Sequence, residues 1–535
     1  MLKYLTSVKK FWINELKFHK IVYFLLTIIL VGAFFIRAYR TGDLLRFYFD
    51  QGRDALVIWK LWHEGKPFLI GPVTGLAGIF LGPFYYYLIA PFYLIGGGSP
   101  VYPAVFLALL TTIAIGVTYY LGWQIQSRVT GLIAAAIAGF SYYMVLAGRW
   151  LANPTPILLT SVLLLLSMWK LVEGKVKNTK FLWFSLALLI GVSLHFEAAS
   201  AIFYIPMIII FWMYLYLTNK KVLPNKVIFV ISILLFGLTL LPQIAFNYKH
   251  ENILFNNFQK VLVEEKSFQS PFTSYNLTKK RDFFWGVFSS KIFPGIVKYA
   301  NIYYLAGLLG IVFALRKIPK TISLLIIFIG VPMIGYFFFQ GNYGNIYDYY
   351  MTGYYLPMIL LFSIGLGFLW KNFLGKILVL VFFLYFCNLS GTLDRNLIYA
   401  GVDGPTHITL GNQLQSVNWV FEDANQLCDP EEILRLPTVA QDEECSRQFN
   451  VDVYVPPVIP HAYDYLFLWQ ATKRCGDNLC GMIKEPQKKT VYVLYEVDPP
   501  HPERLEVWLS RYEENSVIEE EVKFGGITVQ RRKRI

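Results

Sequence analysis

Apolar residues gather into blocks along the first three quarters of the chain. Runs at 21–36, 101–121, 130–147, 155–171, 181–198, 200–217, 227–245, 296–315, 321–339, 354–370 and 374–388 approach the ~20 residues that span a bilayer as a helix. A helix also satisfies its own backbone in lipid, so the pattern predicts an all-α polytopic membrane domain of about 11 spans. One further run, LGPFYYYLIAPFYLIG at 81–96, falls below the ~17 residues of a good spanner, and Pro83 and Pro91 discourage a straight helix. It reads as a re-entrant or interfacial segment. From about residue 389 the pattern becomes polar, proline-rich and irregular, with alternating stretches KKTVYVLYEV (488–497) and GITVQRR (526–532) that read as strands. The chain therefore divides into a membrane domain, 1–390, and a small α+β domain, 391–535.

Composition agrees. Hydrophobic side chains make up 56% of the 535 residues and charged ones 16%, which excludes a soluble globule. The net charge of +13 raises nucleic acid as a partner, but the basic residues sit in short connectors between apolar runs. Lys3, Lys9, Lys10, Lys17 and Lys20 precede the first run; Lys170, Lys175, Lys177 and Lys180, then Lys220, Lys221 and Lys226, Arg316, Lys317 and Lys320, and Lys371 and Lys376 follow later ones. Read by the positive-inside rule, all five groups are cytoplasmic when 81–96 does not cross. The expected partner is a bilayer, not nucleic acid. The N-terminus is then inside a plasma or inner membrane, 37–99 is the first extracytoplasmic loop, and the C-terminal domain is extracytoplasmic. The first run has no small-residue cleavage site after it and reads as a retained helix.

Four of the five cysteines, Cys428, Cys445, Cys475 and Cys480, lie in the C-terminal domain. An even set in an oxidising compartment predicts one or two disulfides, with Cys475–Cys480 and Cys428–Cys445 the first pairing of three to try. A zinc site fits less well, because no C-x₂-C pair is present and His461 is the only evident helper.

Ionisable groups at membrane depth are costly and tend to mark function. In RFYFDQGRDALVIW (46–59), Asp50 and Asp54 share one face if the stretch is an amphipathic surface helix; the plainer reading makes Asp50 its N-cap. The same side gathers Arg149 and Asn153, His195 and Glu197, Lys249 and His250, and Tyr347 and Tyr350. Each has an ordinary explanation. Arg149 can anchor a helix end, His195 can pair with Glu197, and tyrosines populate interfacial belts. Together they supply cations for phosphate, carboxylates for an acceptor and rings for a sugar or polyisoprenyl chain.

These motifs resemble the GT-C superfamily of membrane glycosyltransferases, in particular its protein O-mannosyltransferase and aminoarabinose transferase branch. The likeness runs from about residue 20 to 370. It rests on Phe49-Asp50-Gln51 in the first outer loop, GPFYYYL at 82–88, VTGLIAAAIAGFSYYMVLAGRW ending near Arg149, and YYLPMILL at 354–361. Gln51 replaces the usual glutamate, the histidine that often precedes the proline run is absent, and Asn153 stands where an aspartate is expected. Asp54 and Glu197 are candidates to compensate, and a divalent metal is left open.

The resemblance implies transfer of a sugar from a polyprenyl-phosphate donor to a protein, lipid or glycan acceptor, with inversion and with Asp50 as general base. Arg149 and Lys249 or His250 would hold the leaving phosphate; Tyr347, Tyr350 and the re-entrant segment would line the donor groove. The rival classes are a transporter or flippase of lipid-linked saccharides, which would show an internal repeat or charges within its spans, and a catalytically degenerate relative.

Overall fold

The computed structural model of the protein describes Glu15 and residues 17–76, 78–176, 178–265, 267–268, 273–295, 300–340, 345–401, 407–427, 448–456, 459–476 and 480–535. The membrane part is built from α1 (Lys20–Ala38), α2 (Phe49–Glu64), α3 (Phe84–Ile95), α4 (Val101–Ile125), α5 (Arg128–Phe140), α6 (Tyr142–Gly148), α7 (Ile157–Glu173) and α8 (Lys180–Phe196). It continues through α9 (Tyr204–Thr218), α10 (Lys226–Lys249), α11 (Ser274–Ser290), α12 (Ala300–Lys317), α13 (Pro319–Phe338), α14 (Tyr355–Leu369) and α15 (Phe373–Ala400).

Over most of their described residues the apolar runs are helical, but the count of about eleven spans is not confirmed by length and apolarity. Among the described residues seven helical stretches qualify, or eight if α5 and α6 form one bent span. α7 and α8 have 17 residues each, a rise of roughly 25 Å against a hydrocarbon core of ~30 Å. α12 mixes Asn301, Arg316 and Lys317 into its apolar sequence. α3, with Pro91 inside it, has 12 residues, far short of the ~20 needed to cross.

α5 and α6 meet at a 68° bend at Ser141, where the helical hydrogen-bond ladder stops and leaves carbonyls unpaired. Arg37 of α1 fills that need. Its Nη1 donates to the carbonyls of Ala33 (2.9 Å) and Gly139 (2.8 Å), and its Nη2 to those of Ala138 (3.0 Å) and Met144 (3.1 Å). The chain then leaves α6 at Arg149, at the edge of the site described below.

The C-terminal part comprises α16 (Leu410–Gln426), β1 (Gln448–Tyr454), α17 (His461–Cys475), β2 (Gly481–Met482), β3 (Thr490–Glu496), α18 (Pro502–Glu513), β4 (Ser516–Phe524) and β5 (Ile527–Arg534). Its sheet has the order β2-β1-β3-β5-β4. β1 runs parallel to β2 and β3, with Val451 opposite Tyr492, and β5 is antiparallel to β3 and β4, with Val529 opposite Leu494. Cys475 and Cys480 form a disulfide; Cys428 and Cys445 lie outside the described residues.

Within this domain Glu496 is buried and accepts hydrogen bonds from the Tyr463 hydroxyl (2.9 Å) and Gln413 Nε2 (3.5 Å). Burial pushes its carboxyl from 4.5 up to about 7, against the two hydrogen bonds. An acid whose pKa is higher folded than unfolded favours the fold at low pH and loses that contribution as pH rises through the folded value. Glu496→Gln is therefore expected to gain on the wild type between pH 5 and pH 8, by up to about 3 kcal/mol. Thermal melts in detergent at the two pH values check this; a constant difference between the proteins contradicts it.

Candidate functional site: two chambers on either side of Trp150 and Tyr349

α2 begins at Tyr48, not at Asp50. Tyr48 has extended backbone and occupies the N-cap, and its N–H donates to Gln51 Oε1 at 3.1 Å. Gln51 Nε2 donates to the Leu151 carbonyl at 3.1 Å. The residue at this position both accepts and donates, which explains an amide here: an ionised glutamate has no donor for Leu151. Asp50 thus stands in the first turn of the helix, where the aligned peptide dipoles favour an anion.

Arg53 joins the two aspartates. Its Nη1 lies 2.8 Å from Asp50 Oδ1 and its Nη2 2.8 Å from Asp54 Oδ1, with Nε at 3.0 Å from the same Asp54 oxygen. Asp54 also accepts from the hydroxyl of Tyr86 in α3 at 3.0 Å. The two carboxylates are nevertheless unlike: the Asp50 side chain is 60% exposed and that of Asp54 5%. Burial pushes the Asp54 carboxyl from 3.8 up to about 6, although Arg53 and Tyr86 work in the opposite direction.

Asp50, Arg53 and Asp54 line one wall of a 240 Å³ cavity whose other walls include Asn153, Glu197 and Tyr350. Asn153 Nδ2 donates to the Phe196 carbonyl at 2.6 Å and ties the segment after α6 to the end of α8. Glu197, between α8 and the following turn, caps that turn by accepting from Ala199 N at 3.1 Å. The cavity holds three carboxyl groups and one guanidinium that already binds two of them.

Trp150 and Tyr349 line this cavity and also a second one, of 410 Å³, containing Arg46, Arg149, Tyr143, Asp348 and Tyr355. Their rings meet edge to face at 6.0 Å. Arg149 Nη1 donates to the carbonyls of Ile36 (2.7 Å) and Tyr39 (3.0 Å). Its Nε and Nη2 have no hydrogen-bond partner among the described residues. Asp348 in turn accepts from Lys291 Nζ at 2.8 Å. Lys291 is 1% exposed and sits over the Tyr355 ring, and burial pulls its ammonium below the usual lysine range despite Asp348. Lys291 also reaches a third space, an apolar groove of 1180 Å³ between α11, α12, α13 and α14, lined by residues such as Phe284, Trp285, Leu308, Phe337 and Phe362.

Four sequence candidates stand elsewhere. His195 is buried, its Nε2 2.8 Å from the Thr239 carbonyl and its Nδ1 accepting from Phe84 N; it pairs with neither Glu197 nor a cavity. Lys249 and His250 are exposed at the end of α10, a helix with no buried residue among those described, and line neither chamber. Tyr347 is half exposed and packs its ring on Tyr349 and Tyr350. Arg53, Tyr86, Arg46 and Lys291 are the groups that sequence reasoning did not single out. Only Arg53 carried a signal, its place between two aspartates on one helix. Among the described residues no group of three or more His, Cys, Asp or Glu is arranged to hold a metal, and between Asp50 and Asp54 the guanidinium of Arg53 already stands where a cation would. A divalent ion does not fit there.

No family model and no curated protein matches the sequence. Solved structures do. ArnT from Cupriavidus metallidurans, determined bound to undecaprenyl phosphate, has a TM-score of 0.56 at 10% identity, covering 95% of this chain and 97% of that one; its apo structure has a TM-score of 0.59. The apo oligosaccharyltransferase of Archaeoglobus fulgidus has a TM-score of 0.50 at 14% identity, over 83% of this chain and 63% of that one. Both proteins are GT-C superfamily members.

The chain has a GT-C fold. Coverage of 95% also carries the GT-C likeness past residue 390, into the C-terminal domain that the sequence motifs do not reach.

Proposed function

We propose that this GT-C chain is an inverting glycosyltransferase that moves a sugar from a polyprenyl-phosphate donor to a hydroxyl acceptor on the outer membrane face. One observation carries the reading: an acid-lined chamber and a cation-lined chamber back to back across Trp150 and Tyr349. The apolar groove beside Lys291 suits a polyisoprenyl chain, and the cationic chamber suits its phosphate, with Arg149 offering two free guanidinium nitrogens. The acceptor enters the other chamber. Its hydroxyl proton passes to the Asp50 carboxylate, the oxygen forms the new bond to the anomeric carbon, and the bond from that carbon to the phosphate oxygen breaks, leaving its electron pair on the phosphate. A fixed cation stabilises that developing charge. Attack from the side opposite the phosphate inverts the centre. The undecaprenyl phosphate bound in the ArnT structure supports a ligand of this class.

The test is binding of undecaprenyl phosphate to purified protein. Arg149→Gln is expected to weaken it about ten- to a hundred-fold, the worth of one or two charge-assisted hydrogen bonds, and Lys249→Gln to leave it unchanged. Equal binding by Arg149→Gln and wild type removes the phosphate from this chamber.

A further inference from the structure

The helix that carries Asp50 is held by the C-terminal domain as closely as by the membrane domain. Hydrogen bonds among the described residues tie the loop between α1 and α4 to the part of that domain from Ile408 onward. Leu410 N donates to the Leu45 carbonyl (2.8 Å), Gln413 Nε2 to that of Phe47 (3.0 Å) and the Tyr48 hydroxyl to that of Ile408 (3.1 Å); Trp469 Nε1 donates to the Gly97 carbonyl (2.7 Å) and the Tyr465 hydroxyl to that of Gly98. The Phe49 ring lies 5.0 Å from that of His461.

Gly52 makes the tightest approach. A Cβ built there would stand 2.3 Å from Ala462 N and 2.4 Å from the His461 carbonyl carbon. The neighbouring atoms are backbone at the start of α17, so no side chain can swing aside. Asp50 therefore has α17 against the residue before it and the residue two after it, while Gln51 between them is bonded to Leu151 of the membrane domain.

We infer that the C-terminal domain is a positioning element of the active site: by seating α17 on the bare backbone of Gly52, it sets where the Asp50 carboxylate stands. This rests on Asp50 being the base. The domain is then part of the catalytic unit and not an appended module that only selects acceptors. Displacement of a reacting group by about 1 Å can lower a rate by about a hundred-fold, and any Cβ at residue 52 forces a shift of this order.

The experiment compares Gly52→Ala with Gly391→Ala, whose Cβ meets nothing within 4 Å, in the full chain. The expected result is faster amide hydrogen exchange in residues 45–56 and 461–469 for Gly52→Ala alone, with undecaprenyl phosphate binding as in the wild type. In a transfer assay kcat falls about ten- to a hundred-fold while the donor KM stays within about two-fold. Tyr465→Phe, which cuts one tie without adding volume, is expected to loosen the same two segments to a smaller extent, and it serves if Gly52→Ala does not fold. Wild-type exchange in residues 45–56 for both variants overturns the inference, as does an unchanged kcat in Gly52→Ala. Because exchange is read without substrate, its outcome stands apart from that of the glycosyltransferase reading, which fails separately if the wild type transfers no sugar.

Discussion

Asp50→Asn is expected to lower sugar transfer by about 10²–10⁴-fold, the range over which a positioned general base acts, while undecaprenyl phosphate binding and the melting temperature stay close to wild type. The stability half follows from exposure. The Asp50 carboxylate is 60% exposed and makes one ion pair, Nη1 of Arg53 at 2.8 Å, three residues on; such pairs contribute about 0.2–1 kcal/mol. The activity half follows from which carboxylate is free to accept a proton. Asp54 Oδ1 accepts from Arg53 Nε and Nη2 and from the Tyr86 hydroxyl, and the side chain is buried, so an acceptor hydroxyl finds that oxygen taken and little of the group exposed. Asp50 keeps lone pairs open to the cavity it lines. Asn at residue 50 retains the shape and removes the base. Full transfer by this variant, measured with a donor the wild type uses, would end the assignment.

The membrane helices were legible because lipid imposes one rule on long apolar runs, and the runs obey it even where α7 and α8 are a few residues short. The bend at Ser141 was not legible. Residues 130–147 carry no charge and no proline, and what permits the break is Arg37, about a hundred positions earlier in the chain, offering donors to the freed carbonyls. The site divides in the same way. Asp50 and Asp54 could be read as a pair because helical spacing is local, and Arg53 completes them from the same turn. Arg149 has the sequence marks of a cation at the outer end of a span, yet Trp150 and Tyr349 put it in a different chamber from the aspartates. Lys249 and His250 had the same sequence credentials and stand away from both, because polarity at the end of an apolar run does not say which way a peripheral helix faces. Lys291 and Asp348 are 57 positions apart and nothing local joins them. The contact at Gly52 leaves the faintest trace, since a fit of backbone to backbone is written only as the absence of a side chain.

Arg53→Met is expected to destabilise the protein by about 3–5 kcal/mol, the usual consequence of removing one partner from a buried ion pair, and to abolish transfer. The guanidinium is 18% exposed and the Asp54 side chain 5%. Without it Asp54 is a buried charge with only the Tyr86 hydroxyl in support, and the group responds by holding its proton to higher pH. Its folded pKa is already pushed from 3.8 up to about 6 by burial. Whatever Asp54 adds to the fold is therefore complete below its unfolded value and lost as pH rises through the folded one. The gap between Arg53→Met and wild type should accordingly be smaller at pH 5 than at pH 8 in thermal melts. Asp54→Asn added to Arg53→Met removes the unpaired charge and should recover most of the melting temperature, a coupling of the kind that contacting residues show in a double-mutant cycle. It should not recover transfer, because Asp50 still lacks the guanidinium that holds its carboxylate beside the cavity. A double variant as unstable as Arg53→Met would show that Asp54 is not where the loss arises. One that transfers sugar at the wild-type rate would reduce Arg53 to a counter-ion and leave Asp50 positioned by the helix alone.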